Sequence, residues 1–382
     1  MQLTTDEAIR LIRDGAEALR QGRAAVARDK FETVTRTGRA NGQIWMFLVA
    51  ACQAQNDLHG EEAAIDQLLA LEPRMVRAHI MKADCRGRAG DDHGALRYYE
   101  SALMVADGQQ IAPDLSPELH RAGEAVLAVR QRLDLQRDAT LTAQGLPPEA
   151  RSPRFRQSLD IMAGRKRIFV QEPTGYYFPG LPQIQYFERA DFDWVSKVES
   201  ATAAIRDELR AVLAGGRAEF RPYLHGNTTQ PRIDDNQLVD SPDWSALFLC
   251  ENGRLNDAMI ARCPRTWAVM QTVPAPRIAN SPTVMFSLLR AGARIAPHTG
   301  MLNTRLICHL PLIIPDGCRF RVGNEVREWE EGKLVIFDDT IEHEAWNDGD
   351  RDRIILIFDI WRPELSEQER REVAALLAGP DE

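Results

Sequence analysis

The sequence predicts a multidomain protein with an all-α helical-repeat front half and an antiparallel sandwich or jelly roll near its C-terminus. Residues 1–107 are Ala-rich, nearly free of Pro and patterned for helices throughout. From about residue 283, short alternating apolar runs dominate, and Gly and Pro turns separate them. Helical periodicity followed by closely spaced short strands indicates folding units of different class. The expected boundaries are 1–107 for the helical repeats, 108–165 for a helical connector and 166–382 for the sheet domain.

An internal period runs through the helical half. Gly22, Asn56 and Gly90 mark short turns between paired helices at a spacing of 34 residues, and Pro73 closes one unit. This spacing resembles the tetratricopeptide repeat (TPR), whose large aromatic positions are only partly filled here. The resemblance implies stacked helical pairs with a concave groove. Such a groove either binds a peptide or protein partner, or only braces a neighbouring domain or a second subunit.

Bulk composition limits the class of function. The 382 residues include 44% hydrophobic and 27% charged side chains, which are ordinary values for a globular protein. No segment approaches the roughly 18 apolar residues of a membrane span, and the first residues form no signal-peptide pattern. The formal net charge of −9 disfavours binding to a nucleic-acid backbone. We therefore expect a cytoplasmic protein that binds neither nucleic acid nor membrane, and its oligomeric state stays open.

The six cysteines show neither a CxxC pair nor the spacing of a zinc site. This pattern predicts reduced, mostly buried thiols, as is usual in the cytoplasm. A Cys250–Cys263 disulfide stays open as an alternative, because both cysteines lie near one segment.

Three histidines fall in the last quarter of the chain and are the first candidates for chemistry. They are His298, His309 and His343. His298 opens the stretch HTG, in which Gly300 stands where an iron-binding His-x-Asp motif has its carboxylate. We expect His298 and His343 just outside strands, where loops project ligands into the mouth of a barrel.

Alternation along the strand DRIILIFDIW selects a buried arginine. Arg353, Ile355 and Ile357 share one face of this strand. A buried guanidinium needs an anion, and its planar fork suits a carboxylate. A small dicarboxylic cosubstrate beside iron would satisfy it. The alternative is a structural ion pair with an acidic residue such as Asp359.

The strands TRLICH and VMFSLLR contribute further polar side chains. Arg305, Ile307 and His309 share one face of the first strand, and Ser287 is the small polar residue of the second. A single Ser or His in a strand is more often a satisfied core group than a ligand. The joint arrangement favours a binding site.

Residues 297–365 carry the motifs HTG, N-x-R, EEGK-x-x-x-FDD, HE-x-W and D-x-W-x-P in order. This series resembles the aspartyl/asparaginyl β-hydroxylase family of 2-oxoglutarate-dependent oxygenases. The similarity extends over roughly residues 176–370, and residues 221–265 depart from it. The resemblance implies a double-stranded β-helix (jelly-roll) catalytic domain with flanking helices.

The resemblance also implies a metal site. Enzymes of this family bind Fe(II) with two histidines and leave the place of the carboxylate to water, so Gly300 is expected. His298 and His343 are then the metal ligands and the catalytic centre.

The same resemblance implies a cosubstrate and a reaction. Arg353 is expected to pair with the distal carboxylate of 2-oxoglutarate, and Ser287 and His309 are expected to contact it as well. The implied reaction uses O₂, converts 2-oxoglutarate to succinate and CO₂, and hydroxylates a C–H bond. The expected substrate is the β-carbon of an Asp- or Asn-like residue in a peptide or protein.

Arg305 and Ile307 are the expected substrate contacts. The animal hydroxylases of the family carry a second Arg where this chain has Ile307. A neutral side chain such as Asn is therefore expected to be accepted at least as well as Asp, because a buried carboxylate would lack one partner. An Arg from the divergent segment, Arg232 or Arg254, is the alternative source of that charge.

Two rival functions remain beside a peptide hydroxylase. One is a non-catalytic repeat adaptor whose jelly roll has lost catalysis, and the intact His298, His343 and Arg353 disfavour it. The other is a hydroxylase of a small molecule or a lipid acyl chain. For a peptide hydroxylase, one hypothesis is that the groove of residues 1–107 presents the peptide or protein substrate to the active site. The bracing role stays open beside it.

Overall fold

A computed structural model describes residues 3–38, 40–216, 219–224, 238–278 and 281–378. The chain divides into two units, Met1–Arg165 and Lys166–Glu382. The first unit is helical and the second is rich in β-sheet, which confirms the predicted change of fold class along the chain. No helix among the described residues is long and apolar enough to cross a membrane.

The first unit is built from helix pairs. The second helices of three successive pairs begin at residues 24, 58 and 92, so the period of 34 residues is present in the structure. The helices are α1 (Thr5–Arg20), α2 (Ala24–Thr35), α3 (Gly42–Gln53), α4 (Leu58–Leu71), α5 (Val76–Arg88), α6 (Asp92–Ala106), α7 (Ser116–Ala143) and α8 (Pro153–Met162), with a 3₁₀ turn at Pro148–Ala150.

The three predicted turns are confirmed by their backbone geometry. Gly22, Asn56 and Gly90 have φ angles of +73°, +53° and +79°, in the left-handed region that Gly and Asn tolerate best. Asp57 and Asp91 follow two of these turns and cap α4 and α6, since each side chain accepts a backbone N–H three residues on. Each turn thus ends one helix and starts its partner.

Side chains of the first unit connect the helix pairs to one another and to helix α7. Phe31 is fully buried and stacks on Phe47, with ring centroids 5.4 Å apart. On α5, Asp84 accepts the Tyr99 hydroxyl and two hydrogen bonds of 2.8 Å from Arg121 of α7. Helix α7, which lies in the predicted connector, therefore packs as part of the helical unit.

The second unit contains two antiparallel sheets and five helices among its described residues. Its elements are β1 (Tyr186–Phe187), a 3₁₀ turn (Arg189–Asp191), α9 (Val195–Ser200), α10 (Thr202–Ala214), β2 (Arg221–Pro222), β3 (Trp244–Glu251), β4 (Arg254–Leu255), α11 (Asp257–Arg262), α12 (Pro264–Met270), β5 (Val284–Leu289), β6 (Arg294–His298), β7 (Arg305–Ile313), β8 (Cys318–Val322), β9 (Glu325–Glu328), β10 (Val335–Phe337), β11 (His343–Asn347), β12 (Arg353–Trp361) and α13 (Glu367–Leu376).

The strand order separates a large sheet from a small one. The large sheet runs β1-β10-β7-β12-β5-β3-β2 with β4 beside β3, and the small sheet runs β6-β11-β8-β9. One apolar core joins the large sheet to α9–α12, and a second core contains Phe320 and Ala345 of the small sheet with Leu289 and Ile355 of the large one. The two sheets therefore face each other, and the helices cover the outer face of the large sheet.

Several elements differ from the sequence prediction. Strand β3 lies inside the divergent segment 221–265, and β6, β9 and β11 were also not predicted. The amphipathic pattern of residues 186–216 suggests one continuous helix, but the structure forms β1, α9 and α10 there. All six cysteines are buried and free, so the structure contains no Cys250–Cys263 disulfide.

A buried ion pair connects the ends of the central strands. Arg362, directly after β12, contacts Asp338 at 2.5 Å, and both side chains have 0% exposure. Asp338 also accepts hydrogen bonds from the Thr340 hydroxyl and from Gln171. Gln171 in turn accepts one from Asn303, in the loop between β6 and β7. This network fixes two loops that connect the sheets, one from β6 to β7 and one from β10 to β11.

We expect Arg362→Met to lower the free energy of unfolding by about 3–5 kcal/mol, because it leaves the Asp338 carboxylate buried without its counter-ion. Urea unfolding followed by tryptophan fluorescence reports on this unit, which contains every tryptophan except Trp45. The matched control is Arg290→Met, whose half-exposed pair with Asp243 should contribute less than about 1 kcal/mol. Equal effects of the two substitutions would contradict the structural role of the buried pair.

Candidate active site

His298 and His343 lie side by side on neighbouring strands of the small sheet. His298 ends β6 and His343 begins β11, and the two residues are opposite each other in the antiparallel register. Their ring centroids are 4.1 Å apart. The expectation that both lie just outside strands is therefore wrong. Both strands are short, and β6 contains Pro297, which is tolerated because β6 lies at the edge of its sheet.

Backbone carbonyls fix the tautomer of both rings. The Nδ1 atom of His298 lies 2.9 Å from the Ala296 oxygen, and that of His343 lies 3.1 Å from the Ile341 oxygen. Because a carbonyl only accepts, each Nδ1 carries the hydrogen and each Nε2 keeps a free lone pair.

The surroundings of both histidines favour the neutral imidazole. Burial lowers the pKa of His298, although its ring opens onto a cavity. Burial, together with the neighbouring His298, lowers the pKa of His343 to about 3. Adjacent neutral imidazoles with unused Nε2 atoms fit a divalent transition metal.

Glycine fits at position 300 because the Asp339 side chain occupies the space where a Cβ atom would lie. A Cβ atom at this position would collide with the carboxylate of Asp339, which is buried and whose Oδ1 has no hydrogen-bond partner among the described residues. Burial raises the pKa of Asp339 to about 7, against the opposing charge of Arg305. Within the described part of the chain, no three His, Cys, Asp or Glu side chains form a metal-binding group.

Arg353 has no counter-ion among the described residues. Its side chain is 1% exposed, and its Nε and Nη2 atoms have no hydrogen-bond partner. The guanidinium carbon lies 4.9 Å from the centre of the Trp329 ring. Burial lowers the pKa of Arg353 to about 10. Asp359 binds Arg305 instead, so the structural pairing considered for Arg353 is wrong. The site therefore fits an anion supplied from outside.

Two more polar side chains face the same cavity from the strands that flank β12. His309 on β7 has an unpartnered Nδ1 among the described residues, and burial and the Arg353 charge lower its pKa well below the usual value. Ser287 on β5 accepts a hydrogen bond of 3.2 Å from the Trp244 indole. Its own hydroxyl hydrogen is thereby left for an acceptor in the cavity.

Sequence reasoning missed two aromatic residues of the site. The Trp244 ring lies 6.2 Å from the His298 ring and 4.4 Å from the Tyr223 ring, measured between centroids. Both belong to the segment that departs from the family pattern. The apolar run WSALFLC, which forms β3, was the signal available in the sequence.

One cavity of about 880 Å³ brings the predicted residues together between the two sheets. Its walls include the predicted metal ligands, cosubstrate contacts and substrate contacts, together with the two aromatic residues. They are His298, His343, Ser287, His309, Arg353, Arg305, Ile307, Asp339, Asp359, Tyr223 and Trp244.

The alternation predicted for the strand TRLICH is present. Arg305, Ile307 and His309 line the cavity, whereas the alternate residues belong to the helix-covered core. Of the two alternative arginines, Arg232 lies outside the described residues. Arg254 is exposed on β4 and is not part of the cavity wall.

Comparison with known proteins identifies relatives of the second unit. Residues 199–363 match the family model described as "Aspartyl/Asparaginyl beta-hydroxylase", which confirms the resemblance. The chain is 37% identical over 183 residues to the aspartyl/asparaginyl beta-hydroxylase of Homo sapiens, covering 48% of this chain and 23% of that protein. It is 36% identical over 180 residues to the ornithine lipid ester-linked acyl 2-hydroxylase of Rhizobium tropici, covering 46% of this chain and 60% of that protein.

The chain thus spans less than two thirds of the length of these relatives. Among solved structures, a T3SS complex from Aeromonas hydrophila is similar over 34% of this chain and 85% of that chain, with 21% identity and a TM-score of 0.31. The helix pairs described above, rather than this likeness, define the first unit.

We expect Arg353→Met to raise the free energy of unfolding by about 1–3 kcal/mol in protein without cosubstrate, because it removes a buried charge that has no protein partner. The measurement is urea unfolding of the ligand-free protein. Arg362→Met is the matched comparison and should act in the opposite direction, since Arg362 is paired. A loss of stability in Arg353→Met as large as that in Arg362→Met would show that Arg353 is structural.

Proposed function

We propose that the second unit is an Fe(II)- and 2-oxoglutarate-dependent dioxygenase that hydroxylates a C–H bond of an Asp- or Asn-like residue in a peptide or protein. The observation that carries this proposal is one cavity that contains two adjacent neutral histidines and a buried guanidinium without a protein partner. The match to aspartyl/asparaginyl beta-hydroxylases supports the same chemistry. The two facing antiparallel sheets are consistent with a double-stranded β-helix.

In this proposal, His298 and His343 hold the metal through their Nε2 atoms. The hydrogen bonds from both Nδ1 atoms to backbone carbonyls orient the rings and keep them in the ligating tautomer. When bound, iron and 2-oxoglutarate supply the oxidation by O₂ that hydroxylates the substrate and yields succinate and CO₂.

Arg353, Ser287 and His309 would bind the distal carboxylate of 2-oxoglutarate. That carboxylate neutralises the guanidinium in a buried setting, where a charge-assisted hydrogen bond is strong. The Ser287 hydroxyl donates to the same group, because the Trp244 indole already occupies its oxygen as a donor. His309 donates from Nδ1 when that nitrogen carries the hydrogen. Trp244 is therefore a positioning residue for the cosubstrate.

The helical unit would bind the peptide or protein substrate. Helix pairs that repeat every 34 residues support this role, since stacked pairs of this kind present extended binding surfaces. Bracing of a second subunit is the alternative.

A lipid acyl chain is the second candidate substrate. The similarity to a rhizobial protein named as an ornithine lipid acyl 2-hydroxylase favours it, because that identity of 36% is close to the 37% with the human protein. The two-histidine site and the cosubstrate contacts would serve either substrate. Only the product separates these candidates.

We expect His298→Ala and His343→Ala each to abolish Fe(II)-dependent succinate formation while the fold persists, because a single remaining imidazole holds the metal too weakly. The assay follows succinate released from 2-oxoglutarate by the full chain, with circular dichroism to verify folding. His59→Ala, which removes an exposed histidine of the first unit, is the control and should match the wild type. Near wild-type succinate formation by either site variant would overturn the metal assignment. If the wild type formed no succinate, the non-catalytic repeat adaptor would be favoured.

A further inference from the structure

We propose that Trp329 is a positioning residue for the cosubstrate, because its ring holds the Arg353 guanidinium in the orientation that receives a carboxylate. This role rests on the proposed function and adds a residue that is not part of the cavity wall. It depends on the contact between Trp329 and Arg353, on the packing that fixes the indole ring, and on the free N–H groups of the guanidinium.

The Arg353 guanidinium lies over the Trp329 ring. Its carbon atom is 4.9 Å from the centre of the ring, within the roughly 6 Å over which an aromatic face attracts a cation. Tryptophan binds cations best among the aromatic side chains, and the attraction is stronger when both groups are removed from water. Arg353 and Trp329 are 1% and 6% exposed, so water competes little with this contact.

Contact with the ring leaves the hydrogen-bonding groups of the guanidinium free. The Nε and Nη2 atoms of Arg353 have no acceptor among the described residues. Arg353 lines the cavity, whereas Trp329 does not. A carboxylate in the cavity can therefore bind the N–H groups of Arg353 while the guanidinium stays on the ring. The ring is a weaker partner than a carboxylate, so Arg353 still requires an anion.

Packing fixes the indole ring itself. Trp329 directly follows β9 and stacks on Phe320 of β8, with ring centroids 5.3 Å apart and an angle of 19° between the ring planes. The His309 ring lies 6.0 Å from Trp329 on another side. Trp329 and Phe320 belong to the same apolar core as Ile355 of β12. The indole is thus a fixed surface against which the long Arg353 side chain is ordered.

Order in the empty site matters for binding. An arginine side chain has many rotamers, and immobilising it only when the ligand arrives costs conformational entropy. A ring that already holds the guanidinium reduces this cost. Removing the ring should therefore weaken cosubstrate binding, although Trp329 lies outside the cavity wall.

The test compares 2-oxoglutarate binding by the full chain and by its variants. Calorimetric titration of 2-oxoglutarate into Mn²⁺-loaded protein gives the Kd, and titration of Mn²⁺ into metal-free protein reports on the metal site. Trp329→Leu removes the aromatic face, and Trp329→Phe keeps a ring. Trp329→Met, whose flexible side chain fills irregular space, replaces Trp329→Leu if that variant does not fold. The matched control is Trp346→Leu, because that ring contacts Arg294 and Arg319 and is not part of the cavity wall.

We expect Trp329→Leu to raise the Kd for 2-oxoglutarate about tenfold, as for the loss of one desolvated cation–π contact. The affinity for Mn²⁺ and the maximal rate of succinate formation should stay within about twofold of the wild type, since the ring acts only through Arg353. Trp329→Phe should recover most of the affinity for 2-oxoglutarate, and Trp346→Leu should match the wild type.

A double substitution separates positioning from general structural damage. If Trp329 acts through Arg353, its ring contributes nothing to binding once the guanidinium is gone. Trp329→Leu added to Arg353→Met should then change the Kd by less than about twofold. A further tenfold loss in the double variant would show that the two side chains act independently, which would overturn the proposed role.

Other results would contradict the role of Trp329 as well. They are an unchanged Kd in folded Trp329→Leu or Trp329→Met, an equal rise of the Kd in Trp346→Leu, and a loss of Mn²⁺ affinity as large as the loss of 2-oxoglutarate affinity. A wild type that binds no 2-oxoglutarate would overturn the proposed function itself. A wild type that binds 2-oxoglutarate, with no effect of the Trp329 substitutions, would refute only the role of Trp329.

Discussion

The buried ion pair between Arg362 and Asp338 is the contact on which the geometry of the site depends. Asp338 directly precedes Asp339 in the loop that leads from β10 to His343. Its hydrogen-bond network also includes Asn303, which lies in the loop after His298. Two short strands of the small sheet alone would not fix two imidazoles side by side. The pair is fully desolvated, so its value lies in specifying one arrangement of the loops rather than in adding large net stability.

Strand β12 and the residue that follows it carry three buried charged side chains, and the charge of each is balanced differently. Arg362 is paired within the protein, Asp359 neutralises Arg305, and Arg353 has no counter-ion among the described residues. Burying an unpaired charge is costly, and β12 carries apolar residues at other inward positions. An unpaired arginine on this strand therefore indicates a functional role. This contrast is the physical basis for assigning Arg353 to a ligand.

Strand alternation allowed much of the cavity to be predicted from sequence. Arg305, Ile307 and His309 line it as expected, because a period of two assigns faces without knowledge of the partner strand. The pairing of His298 with His343 was not predictable in this way, since it depends on the register of β6 with β11, which is a long-range contact. Likewise, the sequence alone allows Asp359 to pair with Arg353, and only the strand order places it on Arg305.

Affinity for 2-oxoglutarate tests most directly whether Arg353 and the two histidines form one cosubstrate site. We expect calorimetric titration of 2-oxoglutarate into Mn²⁺-loaded protein to give a dissociation constant about 10- to 150-fold higher for Arg353→Met than for the wild type, since a charge-assisted contact contributes about 1.5–3 kcal/mol. Binding to the wild type should also weaken when the metal is omitted. An unchanged dissociation constant in folded Arg353→Met would contradict the assignment of this buried guanidinium to the cosubstrate.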